Sequence, residues 1–324
     1  MAFEENTTTP LQKKPPVFLR KPASGTFSSR RETQLAYWML VIPGVLVYFA
    51  VMAFPTFFSV FMSISNYAGG SLFGNVRNPL KIVGFGNYVR MFSDEYFYLA
   101  LKNNLYIVLI SVFGQIPLGF ILAYVLFRGL VKGRDFFQSM IYLPCVISTV
   151  VIGNLWKAFF SPYGAFPEIM RKFFNPAYEA GLSQYPMVRV LFVILWMYTG
   201  TYLIIFTANL QKIDVSVIEA ARIDGASEWQ SLRYIILPAL SGVLVTSAIL
   251  AISGSLKSFD LIYVMTSGGP ANRTSVLSLY MYQKAFTGAP NYPLANAIST
   301  VMVVISFILI GLTKLAEKKF GGRE

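Results

Sequence analysis

The chain has 324 residues, of which 55% are hydrophobic and 13% are charged, and its mean hydropathy is +0.56. A soluble domain usually carries about 25% charged residues, so the composition indicates a membrane protein and excludes an ordinary soluble enzyme. The net charge of +12 fits the Lys and Arg excess that orients membrane proteins, which argues against nucleic-acid binding. With no histidine and one cysteine, Cys145, the chain offers neither an internal disulfide nor a His-based metal site, and we expect no metal or cofactor.

A polar, basic N-terminal tail covers residues 1–33 and lacks the apolar stretch of a cleavable signal peptide. A helix needs about 20 residues to cross a bilayer, and six apolar segments are of about that length: 34–64, 102–127, 140–160, 188–210, 239–256 and 295–315. We therefore predict an all-α polytopic membrane protein with six transmembrane helices over residues 34–318 and a short C-terminal tail, 319–324. Pro43, Pro55 and Pro117 predict kinks or local breaks in the first two spans.

The distribution of Lys and Arg predicts the orientation of these spans. Basic residues cluster in the tail, at the C-terminus, and in short loops such as the one that holds Arg128, Lys132 and Arg134. The positive-inside rule then places both termini in the cytoplasm. An even number of spans precedes residues 212–238, so that segment is predicted to be cytoplasmic as well, whereas the loops 65–101, 161–187 and 257–294 would lie outside.

Residues 212–238 form the most polar stretch between predicted spans. Two four-residue runs in it, Ser216 to Glu219 and Ser227 to Gln230, have the spacing of a helix-capping box. Gly225 lies between them, where a residue with positive φ can end one helix and let another begin. The local prediction is a helix, a tight turn and a second helix.

The same stretch resembles the EAA motif of the membrane subunits of binding-protein-dependent ABC importers. It matches every fixed position of that motif, with Glu219, Ala220, Ala221, Gly225, Ile235, Leu237 and Pro238. In that family the loop docks into a groove on a cytoplasmic ATPase and transmits its closure. The resemblance implies that the ATPase-coupling residues are Glu219, Ala220, Ala221, Asp224, Gly225, Leu237 and Pro238.

The surroundings of the motif are similar to the sugar branch of the family, which also has a Gly-Gly-Pro loop between the last two spans, here Gly268 to Pro270. The whole chain looks like the first permease subunit of alginate importers, which would imply an acidic oligosaccharide. The resemblance implies a bacterial inner-membrane protein. Its expected partners are a second, non-identical permease, an ABC ATPase dimer, a periplasmic or surface-tethered solute-binding protein, an oligosaccharide substrate and the lipid membrane.

Polar residues inside the spans are candidates for the translocation pathway, because they are costly against lipid and usually face the interior of a helix bundle. On the second span Asn104, Ser111 and Gln115 share one helical face. Amide and tyrosine side chains suit sugars, which offer hydroxyls and apolar C–H faces. The alternative is that these groups only bond neighbouring helices. The pathway candidates are Asn104, Gln115, Tyr198, Tyr202 and Asn209.

The sequence has neither the phosphate-binding loop of ATPases nor the nucleophile elbow of hydrolases, so we expect no catalytic residue and ATP hydrolysis on a partner chain. Two other classes remain open. A secondary transporter driven by an ion gradient would need ionisable groups at mid-membrane, and the spans hold few. A scaffolding protein would leave the motif spacing unexplained. Lys157 and Lys257 lie near the outer ends of their spans, where snorkelling explains them, although an anionic substrate would also suit them.

Overall fold

A computed structural model describes most of the chain, namely residues 30–67, 69, 74–75, 78–175, 178 and 185–320. Most of the predicted N-terminal tail, and the last four residues of the predicted C-terminal tail, lie outside the described residues. The chain divides into two compact units, Met1–Thr56 and Phe57–Glu324. Helix α1 (Arg30–Tyr48) and the π-helical segment π1 (Phe49–Ala53) belong to the first unit, and α2 (Phe54–Ser63) continues into the second.

The second unit is almost entirely helical where the structure describes it. Its remaining helices are α3 (Gly86–Phe92), α4 (Glu95–Ile110), α5 (Ile116–Phe127), α6 (Arg134–Val146), α7 (Thr149–Phe159), α8 (Ala165–Phe173), α9 (Pro186–Leu210), α10 (Val215–Ile223), α11 (Glu228–Ser231), α12 (Leu237–Ala239), α13 (Ser241–Leu256), α14 (Asp260–Thr266), α15 (Leu277–Phe286) and α16 (Tyr292–Phe320). Two more π-helical segments are π2 (Ser111–Gln115) and π3 (Leu232–Ile236). Strands β1 (Gly74–Asn75) and β2 (Asn78–Pro79) form a short antiparallel pair.

The described residues contain up to six candidate membrane spans. Four are continuous and long enough to cross a membrane, namely Thr33–Ser63, Glu95–Phe127, Pro186–Leu210 and Tyr292–Lys318. Two are bent pairs, in which α6 and α7 meet at 95° and the run Glu228–Ala239 meets α13 at 66°. The predicted all-α, polytopic architecture is confirmed, with each bent pair taken as one span.

The third span corrects the prediction of a straight helix over 140–160. It starts earlier, at Arg134, and breaks at Ile147, which has extended backbone, and at Ser148, with φ −53° and ψ 132°. Pro144 lies one turn before the break and removes a backbone hydrogen bond from the helix, which weakens its end. The break frees backbone groups within the span, an arrangement that membrane proteins tolerate where protein or water surrounds it.

The prolines of the first two spans cause local widening rather than interruption. Each of the three π-helical segments ends two residues before a proline, at Pro55, Pro117 and Pro238. A proline ring clashes with the carbonyl of the fourth residue before it, and in each case that residue is the middle of the π-helical segment. The wider π turn moves this carbonyl aside while the helix continues. Pro43, by contrast, lies inside the uninterrupted α1.

Helix α9 lies at the centre of the second unit, with buried residues along its whole length. Two close approaches fix its neighbours. A Cβ at Gly119 of α5 would come within 2.6 Å of the Tyr202 Cβ, and a Cβ at Gly200 would come within 2.6 Å of the Ile141 carbonyl oxygen on α6. Glycine at these positions therefore allows α5 and α6 to pack directly against the α9 backbone, as small residues do in membrane bundles.

Candidate functional site

The polar loop after α9 starts with a helix cap that differs from the predicted one. Asp214 has extended backbone, and its carboxylate accepts the Ser216 N–H at 2.9 Å, so α10 begins at Val215. The predicted box of Ser216 with Glu219 is wrong, because an earlier residue, as good an N-cap as serine, starts the helix two positions sooner. The Ser216 N–H holds the pKa of Asp214 below its usual range. Glu219 is exposed and forms no ion pair within the described part of the chain.

The turn and the second cap agree with the prediction. Gly225 has φ +83°, a left-handed conformation that glycine adopts without strain. Ser227 then accepts the Gln230 N–H at 3.3 Å, and the Gln230 side chain accepts the Ser227 N–H at 2.7 Å, so the second capping box is complete. The loop is therefore a helix, a glycine turn and a short second helix.

Helix α10 is held from one side and exposed on the others. Ile218 is 5% exposed and belongs to an apolar cluster that also contains residues of α5, α9 and α13. Glu219 and Ala220 are exposed, and Ile223 is 86% exposed. Ile223 therefore adds an open apolar side chain to the outer surface of α10.

A charged cluster joins the loop to the end of α5. The Glu228 carboxylate accepts hydrogen bonds from Arg128, which caps the C-terminus of α5, and from Arg222 in the last turn of α10, the latter at 2.9 Å. The Tyr124 hydroxyl lies 3.4 Å from the other carboxylate oxygen. We call Tyr124, Arg128, Arg222 and Glu228 the Glu228 cluster.

The motif ends at a bend. Leu237 and Pro238 open the three-residue α12, and the chain turns by 66° between Ala239 and Ser241 before it enters α13. Leu240, between them, is 2% exposed and anchors the bend in the same apolar cluster as Ile218. The loop is thus fixed to the bundle at both ends.

A cavity of about 390 Å³ lies inside the second unit. Its polar lining comes from π2, the start of α7, α9, the end of α13 and the segment that leads into α14, with the side chains of Ser111, Gln115, Thr149, Tyr198, Thr201, Tyr202, Ser255, Lys257, Ser258 and Asp260. The break in the third span therefore borders this cavity, at Thr149. A volume of this size is in the range of small-molecule sites.

Three of the five pathway candidates meet at the cavity. Gln115, Tyr198 and Tyr202 all line it, and Gln115 is fixed by a hydrogen bond from its amide to the Ile194 carbonyl at 2.8 Å. Asn104 instead donates to the Ser255 carbonyl at 3.0 Å and accepts the Leu277 N–H at 2.7 Å, with a side chain only 1% exposed. For Asn104 the structure favours the alternative that it joins neighbouring helices.

Asn209 lies apart from the cavity. It donates to the Ile205 carbonyl of its own helix at 2.8 Å and lines a separate shallow groove beside Asp214 and Val217. Thr149, Thr201 and Asp260 also line the cavity, although they are absent from the predicted pathway residues. Of these three residues, only Asp260 is accompanied by a signal in the sequence, the drop in hydropathy after Leu256.

Comparison with known proteins identifies the family. The family described as the inner membrane component of binding-protein-dependent transport systems matches residues 115–322, which is more than half of the chain. The chain belongs to this family. It is a permease subunit of an ABC importer, as the EAA motif predicted, and the matched region contains both the loop and most of the cavity lining.

Relatives that transport sugars match over nearly the whole chain. The lactose transport system permease protein of Rhizobium radiobacter is 32% identical over 297 residues, which is 90% of this chain and 97% of that protein. The trehalose transport system permease protein of Mycobacterium tuberculosis is 30% identical, over 89% of this chain and 92% of the relative. The multiple sugar-binding transport system permease protein of Streptococcus mutans is also 30% identical, over 87% and 95%.

A solved structure shares the fold. It is a bacterial ABC transporter involved in the import of the acidic polysaccharide alginate, and it matches with a TM-score of 0.73 and 22% identity over 90% of this chain and 98% of that one. The same transporter fold is also known in complex with a periplasmic protein that holds an alginate pentasaccharide. At this identity the match shows the fold alone.

Proposed function

We propose that this permease forms half of a translocation pathway for neutral oligosaccharides, and that a separate ATPase drives it through the loop 212–238. A second, non-identical permease supplies the other half of the pathway, and a solute-binding protein delivers the substrate. In this proposal both termini and the loop are cytoplasmic, on the side where ATP is available.

The exposure of α10 carries the coupling part of the proposal. Ala220 and Gly225 have no large side chain that would keep a partner away, and Ile223 offers an open apolar surface. Ile218 and the Glu228 cluster hold the helix to the bundle from the other side. A helix fixed in this way can be gripped by a partner groove and can pass on its movement.

The lining of the cavity supports a sugar as substrate. Hydroxyl and amide groups of Gln115, Thr149 and Thr201 can bond to sugar hydroxyls, and the ring of Tyr198 can stack on an apolar sugar face. Lys257 would suit an acidic sugar such as alginate, but Asp260 lines the same cavity and offsets that charge. The balance of the two favours a neutral sugar.

One variant tests the coupling part directly. Ile223→Asp changes a side chain that is 86% exposed, so the permease should still fold while the ATPase no longer copurifies with it and uptake is lost. Leu130→Asp, at a side chain 70% exposed in the neighbouring loop, is the matched control and should retain both. Normal ATPase association of Ile223→Asp would contradict the proposal.

A second measurement addresses the energy source. Membership of the ABC importer family predicts ATP as the energy source, whereas Lys257 and Asp260 place at the cavity the kind of ionisable groups that an ion-coupled transporter uses. In vesicles that contain the complete complex, depletion of ATP with the ion gradient intact should abolish uptake. Uptake that persists without ATP would favour the alternative.

The substrate can be tested by competition. Uptake of a labelled disaccharide such as lactose or trehalose should fall when unlabelled neutral sugar is added and should be insensitive to alginate oligosaccharides. In the charge variant Asp260→Asn, which leaves Lys257 unbalanced, inhibition by the acidic oligosaccharide should increase. Stronger inhibition by alginate than by neutral sugars in the unchanged protein would overturn the substrate class.

A further inference from the structure

The Glu228 carboxylate connects helices that lie far apart in the sequence. Its own helix α11 follows the glycine turn, Arg222 belongs to α10, and Arg128 lies a hundred residues earlier at the end of α5. Through Glu228, therefore, side chains of α10 and α5 are bonded to the same group. The Tyr124 hydroxyl, one turn before Arg128, adds a fourth member.

Burial distinguishes this cluster from an ordinary surface ion pair. Exposed pairs contribute about 0–1 kcal/mol, and the side chains of Glu228 and Arg222 are 58% and 62% exposed. The Arg128 side chain, however, is only 16% exposed, and Glu228 is its only acidic partner among the described residues. Loss of Glu228 would leave a largely buried guanidinium without its counter-charge, which is costly.

Helix α5 leads from this cluster to the cavity. It has 12 residues, a length of about 18 Å at 1.5 Å per residue, and Gln115 at its other end lines the cavity. Between the two ends Gly119 brings the α5 backbone against Tyr202 of α9, another cavity residue. Since closely packed helices move together rather than deform, a displacement at Arg128 would shift Gln115 and Tyr202.

We propose that Glu228 is a positioning residue that transmits movement of α10 to α5 and so to the cavity. The inference rests on the proposed function, because a partner must first move α10. The backbone also links α10 to α9 and to α13, and Ile218 shares an apolar cluster with α5, so loss of Glu228 leaves the loop attached but removes its ionic link to α5. The consequence is hydrolysis of ATP without a matching displacement of the pathway.

The test measures uptake and ATP hydrolysis in the same reconstituted complex, with its ATPase and binding protein. The variants are Glu228→Gln, Arg128→Gln and the double change; the matched control is Asp135→Asn, an exposed acid in the first turn of α6. We expect sugar transported per ATP to fall about tenfold in each single variant. The double variant should fall no further, because both changes remove the same interaction. Asp135→Asn should keep the ratio of the unchanged protein.

The ratio separates this role from a purely structural one. If the amount of sugar transported per ATP is unchanged, whether or not uptake and hydrolysis both fall, Glu228 does not transmit movement and the inference is overturned. Additive losses in the double variant would also overturn it. Ile223→Asp is prepared alongside: if it loses the ATPase while Glu228→Gln keeps its ratio, this inference alone fails, whereas an Ile223→Asp complex that keeps its ATPase overturns the proposed function itself.

Discussion

The polar loop and the interior of the bundle are stabilised by different kinds of contact. Around α10 the side chains are exposed, the contacts are ionic, and one residue, Ile218, supplies the apolar anchor. Inside the bundle the contacts are buried: Asn104 and Gln115 bond to backbone groups of other helices, and glycines allow direct backbone packing. Because its contacts are few and exposed, the loop can be moved by a partner. Because its contacts are buried and closely packed, the bundle should respond by the movement of whole helices.

The largest effect on stability is expected at Gly119, where the backbones of α5 and α9 pack most closely. Gly119→Leu would place side-chain atoms into Tyr202 and the Leu203 backbone, and overpacking of this kind costs about 1–3 kcal/mol or more. We expect a clear fall in the thermal midpoint of the detergent-purified protein and a loss of folded yield. Gly311→Leu on α16, where a Cβ meets nothing within 4 Å, is the matched control. Equal stability of the two variants would show that the α5–α9 contact is looser than described.

A change in the loop should affect transport rather than folding. Gly225→Val forces a β-branched residue into a left-handed turn with φ +83°, a strain on the order of 1–3 kcal/mol. We expect uptake to fall several-fold while the thermal midpoint of the bundle stays near that of the unchanged protein. Gly225→Asn should retain uptake, because asparagine tolerates this conformation. Loss of transport in both variants would mean that the absence of a side chain, and not the turn, is what matters.

The loop could be predicted in detail because its structure is local. The glycine turn and the box of Ser227 with Gln230 depend on residues within a few positions of one another, and both were found. The start of α10 was missed only because Asp214 competes with Ser216 for the same role. Spans are also local, since length and hydropathy define them.

The cavity and the Glu228 cluster could not be predicted because they join distant segments. Gln115, Tyr198 and Asp260 come from different helices, and Arg128 and Glu228 lie a hundred residues apart. Helical spacing shows which face a residue occupies, but it does not show what that face meets. Asn104 has the spacing of a pathway residue, and yet the structure places it between helices.

The different roles of Asn104, which joins helices, and Asn209, which bonds within its own helix, can be tested by stability measurements. Asn104→Leu removes bonds to the Ser255 carbonyl and the Leu277 N–H, and an unsatisfied buried group costs about 1–3 kcal/mol. Asn209→Leu removes only a bond within its own helix and one to the nearby Lys212, so its effect should be much smaller. The thermal midpoints of the two variants test this order, and the reverse order would contradict the assignment of Asn104 to helix packing.

The smallest effect is expected at the other end of α4, where Asp94 bonds to Tyr280 and Lys284 of α15. Burial raises the pKa of Asp94, but these bonds, the Tyr96 N–H and the Lys284 charge outweigh it and hold the pKa below its ordinary value of 3.8. The charged form therefore stabilises the fold above pH 3.8, and this contribution is lost as the pH falls through the lowered pKa.

Asp94→Asn should therefore lower stability at neutral pH by no more than about 1 kcal/mol, since the pair is partly exposed. The difference from the unchanged protein should shrink as the pH falls below 3.8. Thermal midpoints measured across this range decide the matter, with Glu95→Gln as the control for the loss of a neighbouring charge. A difference that grows on acidification would mean that the sign of the pKa shift is wrong.

The most direct test of the account is the accessibility of the α10 surface. Cys145 is the only cysteine, so Cys145→Ser followed by Ile223→Cys gives a chain with a single thiol at the proposed docking surface. We expect a membrane-impermeant maleimide to label this thiol only from the cytoplasmic side, and the assembled ATPase to protect it. Labelling from the outer side, or equal labelling with and without the ATPase, would contradict this expectation.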